Sequence, residues 1–201
     1  MKLNKYTRFT INDAKGNKAI ERARDFWIFS FLANGMNPKD ILNLKYKNIS
    51  GDYFTFRRAK TERATKENPT YVRVHIDTKL KKIKETYETK GEKEDYIFPW
   101  PYTKNNTGET ARDRMLLTQY FVKMINDGMK VIAKDLKIKG EVTCYVARHS
   151  FATILKNSGT STEYIQEMLG HENIGTTKAY LGSFSNDTIK ERATKLAALL
   201  D

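Results

Sequence analysis

The chain has 201 residues, of which 39% are hydrophobic and 11% are aromatic, which is enough apolar material for a packed core in one or two domains. Its single cysteine, Cys144, excludes an intramolecular disulfide and a multi-cysteine zinc site, and no apolar run is as long as a membrane span. The formal net charge of +12 indicates a polyanionic partner, because neutralising phosphates releases condensed counterions; DNA and RNA fit this charge equally well.

The N-terminal part is predicted to be a flexible lead-in followed by two helices. Residues 1–18 are polar, with Gly16 as a helix breaker, and because they contain no apolar signal segment the protein is predicted to be cytoplasmic. A helix rich in aromatic residues is predicted over 19–33. The next helix is short, with Asn37 at its N-cap and Pro38 at its first position.

A β-hairpin is predicted next. Residues 52–58 and 71–76 alternate apolar and polar side chains, as strands do. The polar stretch between them, 59–70, is predicted to form the mobile tip of the hairpin. The basic residues at its start and within it include Arg58, Lys60, Arg63 and Lys66.

The rest of the chain is predicted to be mainly helical. A surface helix is predicted over 78–90, a loop rich in Pro, Asn and Gly over 92–110, and a long core helix over 113–136. The last helix, over 186–200, has an apolar side that packs either on its own domain or on a neighbouring subunit. The predicted fold class is therefore α+β, mostly α-helical with a small antiparallel β-sheet.

A helix over 161–169 is predicted from the signals at its two ends. Thr160 and Glu163 form a capping box at the start. Gly170 lies where a helix ends in the left-handed conformation that glycine adopts at little cost. This helix delivers His171 into the loop just past its C-terminus.

Three spaced motifs occur in the C-terminal part. The run A-R-H-S-F-A-T contains Arg148, L-G-H ends at His171, and T-T-x-x-Y ends at Tyr180, nine residues after the histidine. Their spacing resembles the C-terminal signature of the tyrosine recombinases, also called the phage integrase family, and is closest to integrases of mobile elements. The resemblance covers about 19–183. It implies that family's catalytic-domain fold and site-specific DNA cleavage and rejoining through a 3′-phosphotyrosyl intermediate.

The three motif residues suit this chemistry by their functional groups. A guanidinium is planar and charged, so Arg148 is predicted to bind the non-bridging oxygens of a phosphodiester. His171 is predicted to donate a second hydrogen bond to the developing charge. Tyr180 is the predicted nucleophile, and neither a metal nor a cofactor is expected to take part.

The sequence departs from the family pattern at one arginine. The family usually reads G-x-R-x-x-E-L where this chain has Asn37, so one phosphate-binding arginine is missing. Arg24 or Arg22 of the preceding helix is predicted to compensate, and Arg24 is favoured because it shares a helical stripe with core residues. The alternative is that Arg24 pairs with a carboxylate.

Other roles follow from the resemblance. Lys60, in R-A-K-T, matches a family lysine and is predicted to protonate the leaving 5′ oxygen. Lys66 is the competing candidate for this role. The alternative role for Lys60 is binding of the DNA backbone. Tyr145 replaces a family histidine and is predicted to support Arg148 or contact a phosphate. His149 is predicted to be structural. The predicted DNA-binding residues are Arg58, Arg63, Lys66 and Tyr145.

The predicted organisation is a lead-in over 1–18, a catalytic domain over 19–185 and a C-terminal helix over 186–201. The family usually has a helical core-binding domain ahead of this region, so the chain is expected to be a fragment of bacterial, phage or mobile-element origin. The expected partner is a duplex recombination site, bound by several copies and possible accessory DNA-bending proteins, with no membrane partner. The alternatives are topoisomerase-like nicking and closing, and a non-catalytic DNA-binding accessory protein.

Overall fold

The computed structural model describes residues 14–60, 70–98, 110–184 and 186–198. Its helices pack around a small sheet, as the predicted fold class requires. The helices and strands, in chain order, are α1 (Ala14–Leu32), α2 (Pro38–Asn43), β1 (Ile49–Ser50), β2 (Tyr53–Arg57), β3 (Tyr71–His75), α3 (Thr78–Tyr87), α4 (Ala111–Asp135), α5 (Cys144–Asn157), α6 (Thr162–Leu169), α7 (Ile174–Leu181) and α8 (Asn186–Ala197).

Helices α1 and α4 form the centre of the domain. They approach closely because Gly128 of α4 has no side chain: a Cβ built there would lie 2.3 Å from the Cβ of Ala23. Aromatic rings fill the space around this contact, and Phe26 packs edge-on against Phe121, with 4.9 Å between ring centroids. Close packing of large apolar side chains makes the α1–α4 pair rigid, and α5 packs against it.

The three strands form an antiparallel sheet in the order β1-β2-β3. Phe54 lies opposite Val74 and Phe56 lies opposite Val72, and all four side chains are buried. Since successive strand residues point to opposite faces, one face of the hairpin covers the core and the other meets solvent. The predicted pairing of the two hairpin strands is confirmed, and β1 is an additional short strand. Most of the predicted mobile tip, residues 61–69, lies outside the described residues.

Several helix boundaries differ from the prediction. Helix α1 begins at Ala14, so Gly16 lies within the helix; a glycine lowers helix stability only modestly and does not by itself end a helix. Helix α6 is capped by Ser161, whose hydroxyl accepts from the amide of Tyr164, rather than by Thr160. The division into lead-in, catalytic domain and C-terminal helix stays a prediction.

No helix in the described part of the chain has both the length and the apolar character needed to cross a bilayer.

Candidate active site

The start of α5 is fixed by the two central helices. The indole Nε1 of Trp27, on α1, donates to the carbonyl of Thr143 over 2.9 Å. Asn126, on α4, accepts a hydrogen bond from the amide of Cys144 over 2.9 Å. The first turn of α5 is therefore held from both sides, and Arg148 follows one turn later on its buried face.

Arg148 is held by backbone carbonyls from two distant segments. Its Nη1 donates to the carbonyl of Gly35 over 2.9 Å, and its Nη2 donates to the carbonyl of Leu169 over 2.7 Å. Gly35 has φ +66°, and a Cβ there would lie 2.8 Å from the Cα of Arg148, so only glycine fits. Burial lowers the pKa of Arg148 to about 10, and the nearby charge of Arg58 acts in the same direction.

His171 lies beside this guanidinium in the loop after α6. Gly170 ends the helix with φ 62° and ψ 41°, which confirms the predicted left-handed cap. Nε2 of His171 lies 3.2 Å from Nη2 of Arg148, and Nδ1 lies 2.9 Å from the buried Oγ1 of Thr177. A guanidinium only donates, so Nε2 accepts, and the hydrogen-bond pattern assigns the proton to Nδ1.

The environment of His171 disfavours its cationic form. Burial lowers its pKa to about 4, and the positive charges of Arg148, Arg58 and Lys60 lower it in the same direction. The imidazole is therefore neutral at physiological pH in the protein without a bound anion.

Tyr180 lies on α7, one residue before that helix ends. Its ring is edge-on to His171, with 5.9 Å between centroids, and to His149, with 5.3 Å. The hydroxyl is buried without a hydrogen-bond partner among the described residues. Burial raises the pKa of the Tyr180 phenol, and the nearby phenol of Tyr145 raises it further. The two hydroxyls do not form a hydrogen bond with each other.

The C-terminal end of α7 is held by a buried lysine. Nζ of Lys156, on α5, donates to the carbonyls of Leu181 and Gly182. It also lies 4.3 Å from the ring centroid of Phe184. A cation at a helix C-terminus complements the macrodipole, so Lys156 fastens the helix that carries Tyr180.

Arg58 joins the same cluster from the end of β2. Its side chain is 8% exposed, and its Nη1 donates to the carbonyl of Gly170 over 3.2 Å. The next residue is held by Asp40, whose carboxylate accepts from the amide of Ala59 over 2.9 Å. From the sequence, Arg58 was predicted only to bind DNA, and its burial was missed. The signal was available, because Phe54, Phe56 and Arg58 share one parity along the strand.

The remaining predicted residues lie at different distances from this cluster. Lys60 is exposed, and its charge acts on His171, so it lies at the edge of the site. Tyr145 is 64% exposed, and its ring is edge-on to Tyr180 with 6.0 Å between centroids. His149 stacks on Tyr145 and contacts Tyr180, so it faces the site rather than away from it. Arg63 and Lys66 lie outside the described residues.

Arg24 does not join the cluster. Its Nη2 lies 2.7 Å from Oδ1 of Asp25, and the other carboxylate oxygen of Asp25 accepts from the hydroxyl of Tyr87 over 2.8 Å. Arg24 was predicted to stand in for the arginine missing at Asn37, but it follows the alternative and pairs with a carboxylate. Asn37 occupies the N-cap of α2 as predicted, but its side chain makes no capping hydrogen bond.

A helical domain with one antiparallel hairpin that brings an arginine, a histidine and a tyrosine into contact defines the catalytic-domain class of tyrosine recombinases. The chain belongs to the phage integrase family, whose model matches residues 9–186.

Curated relatives and solved structures are consistent with this assignment. The chain is 29% identical over 176 residues to a probable integrase/recombinase protein of Methanocaldococcus jannaschii, covering 87% of this chain and 48% of that protein. It is 25% identical over 166 residues to tyrosine recombinase XerD of Chlamydia muridarum, covering 82% and 50%. The chain therefore spans about half the length of these relatives.

Two solved structures share the fold. The crystal structure of XerA recombinase superposes with TM-score 0.57 at 20% identity, covering 92% of this chain and 64% of that one. The Tn1549 transposon integrase in complex with transposon right end DNA superposes with TM-score 0.58 at 14% identity, covering 94% and 66%. At these identities the match establishes the fold.

Proposed function

We propose that the chain is the catalytic part of a site-specific DNA recombinase that cuts and rejoins strands during integration or excision of a mobile element. The observation that carries this proposal is the meeting of Arg148, His171 and Tyr180 in one cluster built from α5, α6 and α7. Arg148 on α5, His171 in the loop after α6 and Tyr180 on α7 would supply a phosphate ligand, a proton acceptor and a nucleophile.

In the proposed cleavage step, Oη of Tyr180 attacks the scissile phosphorus and the bond from phosphorus to the 5′ oxygen breaks. The phenol is protonated because its pKa is raised, so its proton must move during attack. The neutral imidazole of His171 accepts it and becomes a cationic donor to the phosphate oxygens. Lys60 protonates the 5′ oxygen, and the reverse reaction by a 5′ hydroxyl rejoins the strand.

The proposed partner is duplex DNA bound by several copies of the protein. The net charge of +12 supports a phosphate-rich partner, and binding is expected to weaken steeply with salt as counterions are released. Oligomer formation on DNA and help from accessory DNA-bending proteins are further parts of this proposal. The predicted DNA contacts are Arg58, Arg63, Lys66 and Tyr145.

A trapping experiment with a mixture of substrates tests the reaction before a target sequence is defined. The chain is incubated with a library of duplexes that carry a nick beside a randomised sequence, so that the short product diffuses away and the covalent adduct accumulates. A denaturation-resistant protein–DNA band is expected with the wild-type chain. It should be absent for Tyr180→Phe and retained for Tyr164→Phe, a change of a half-exposed tyrosine on α6 outside the cluster.

The other possible outcomes decide between functions. Sequence-selective binding with no adduct at any concentration would contradict the enzymatic proposal and favour a DNA-binding accessory protein. Relaxation of supercoiled plasmid without exchange of strands between duplexes would favour nicking and closing. Captured sequences, once read, provide the defined substrate for variants.

A further inference from the structure

Two guanidinium groups meet at the C-terminal end of α6. Arg148 donates to the carbonyl of Leu169, and Arg58 donates to the carbonyl of the next residue, Gly170. His171 follows directly and contacts Arg148. The carbonyls of Leu169 and Gly170 therefore accept hydrogen bonds from two arginines, at the helix end where the negative end of the dipole favours cations. His171 lies next to both contacts.

These two arginines are buried without compensation by a carboxylate in ion-pair contact. Arg58 is 8% exposed and Arg148 is 7% exposed, and neither forms an ion pair among the described residues. The carboxylate whose charge acts on both is that of Asp40, which is buried and accepts from the amide of Ala59. Because buried like charges repel each other, such a pair is expected to bind an anion.

Arg58 has a donor that no described protein group accepts from. Its Nη1 is used on Gly170, whereas its Nε is buried and has no hydrogen-bond partner among the described residues. A buried donor without a partner is costly, and a bound anion is one way to satisfy it. The Arg58 side chain packs closely against the backbone of Gly170, since a Cβ built at Gly170 would lie 2.7 Å from the Cδ of Arg58.

We propose that Arg58 is the second phosphate-binding arginine of this active site, binding a non-bridging oxygen of the scissile phosphate beside Arg148. It takes the role that the family pattern gives to an arginine at position 37, where this chain has Asn37. A guanidinium reaches the site from the hairpin instead of from the start of α2. The inference rests on the proposed strand-cleavage function and names a further catalytic residue for it.

Arg58→Gln tests this role against a matched control. The rate of adduct formation is measured on a captured sequence with the wild-type chain, Arg58→Gln and Arg24→Gln. Removing a positioned donor to developing charge slows reactions about 10²- to 10³-fold, so Arg58→Gln is expected to slow by that factor. Arg24→Gln removes the same charge from outside the cluster and is expected to stay within about threefold of wild type.

A modified substrate separates a phosphate contact from a structural effect. A methylphosphonate at the scissile position replaces one charged oxygen by a methyl group, so less negative charge needs neutralisation. If Arg58 binds that phosphate, the deficit of Arg58→Gln should shrink at least about tenfold on one methylphosphonate diastereomer. Urea unfolding of each variant reports its folded fraction under the assay conditions.

Each result decides a different point. An Arg58→Gln rate within about threefold of wild type, or an equal deficit on phosphate and on both methylphosphonate diastereomers, would overturn the role of Arg58 while leaving the proposed function intact. A wild-type chain that forms no adduct would overturn the proposed function and the role of Arg58 with it. A deficit that shrinks on methylphosphonate supports both.

Discussion

Nη2 of Arg148 lies 3.2 Å from Nε2 of His171, and the same nitrogen donates to the carbonyl of Leu169. One guanidinium therefore fixes both the imidazole and the end of the helix that precedes it. Because Nδ1 of His171 is held by Thr177, the ring has a defined tautomer before any DNA binds. The positions of Arg148 and His171 are therefore fixed in the free protein.

This contact predicts an unusual titration of His171. Burial and the charge of Arg148 lower its pKa to about 4, so its imidazole signals are expected to stay in the neutral form well below pH 6. Proton NMR of the free protein measures this, with His171→Gln identifying the signals. A midpoint near the ordinary value of about 6.5 would contradict the described environment.

The same shift predicts a pH dependence of folding stability. Between about pH 6.5 and pH 4 the unfolded chain binds a proton on His171 that the folded chain does not. The contribution of His171 is therefore fully present above pH 6.5 and is lost as the pH falls towards 4. Urea unfolding at pH 7 and pH 5 should show a larger loss for the wild-type chain than for His171→Gln. Equal losses in the two proteins would contradict a lowered pKa of His171.

Two of the glycines with positive φ, Gly35 and Gly51, have different surroundings and predict a graded loss of stability. Gly35→Ala places a Cβ 2.8 Å from the Cα of Arg148 at φ +66°, and both the clash and the backbone strain are expected to cost roughly 2–5 kcal/mol together. Gly51→Ala is the control, since it has φ +54° and no atom within 4 Å of a built Cβ. It should lose only the backbone part, about 1–2 kcal/mol. Equal losses in urea unfolding would mean that the close approach to Arg148 is not restrictive.

Local sequence signals predicted the parts of the site that depend on neighbours in the chain. The left-handed end of α6 at Gly170 follows from a glycine after an amphipathic run. The hairpin follows from alternation. In each case the residues that decide the structure are within a few positions of each other.

Long-range contacts explain what the sequence did not predict. Arg58 and Gly170 are 112 positions apart, and Arg148 and Gly35 are 113 apart, so no local pattern links them. Arg24 was favoured because its helical stripe faces the core, but the adjacent Asp25 accepts its hydrogen bonds. Which carboxylate meets which guanidinium depends on packing that periodicity does not encode.

Removing the hydroxyl of Tyr180 is expected to abolish the adduct without a stability penalty. The buried oxygen has no hydrogen-bond partner among the described residues, so Tyr180→Phe removes an unsatisfied polar atom and keeps the ring contacts with His149 and His171. The free energy of unfolding should stay within about 0.5 kcal/mol of wild type, or rise. A loss above about 1 kcal/mol would reveal a hydrogen bond to this hydroxyl.

Lys156 is expected to position the nucleophile through the end of α7. Lys156→Met keeps the aliphatic length but removes the donor to the carbonyls of Leu181 and Gly182, at a cost of about 1–3 kcal/mol in unfolding free energy. Because Tyr180 precedes these carbonyls, the rate of adduct formation should fall more than DNA affinity does. Lys178→Met is the control, because it removes an exposed charge from α7, the helix that carries Tyr180. It should lower DNA affinity at most and leave the rate on bound DNA unchanged. Equal effects of Lys156→Met on rate and affinity, measured where the variant is fully folded, would show that it acts on DNA binding and not on the position of Tyr180.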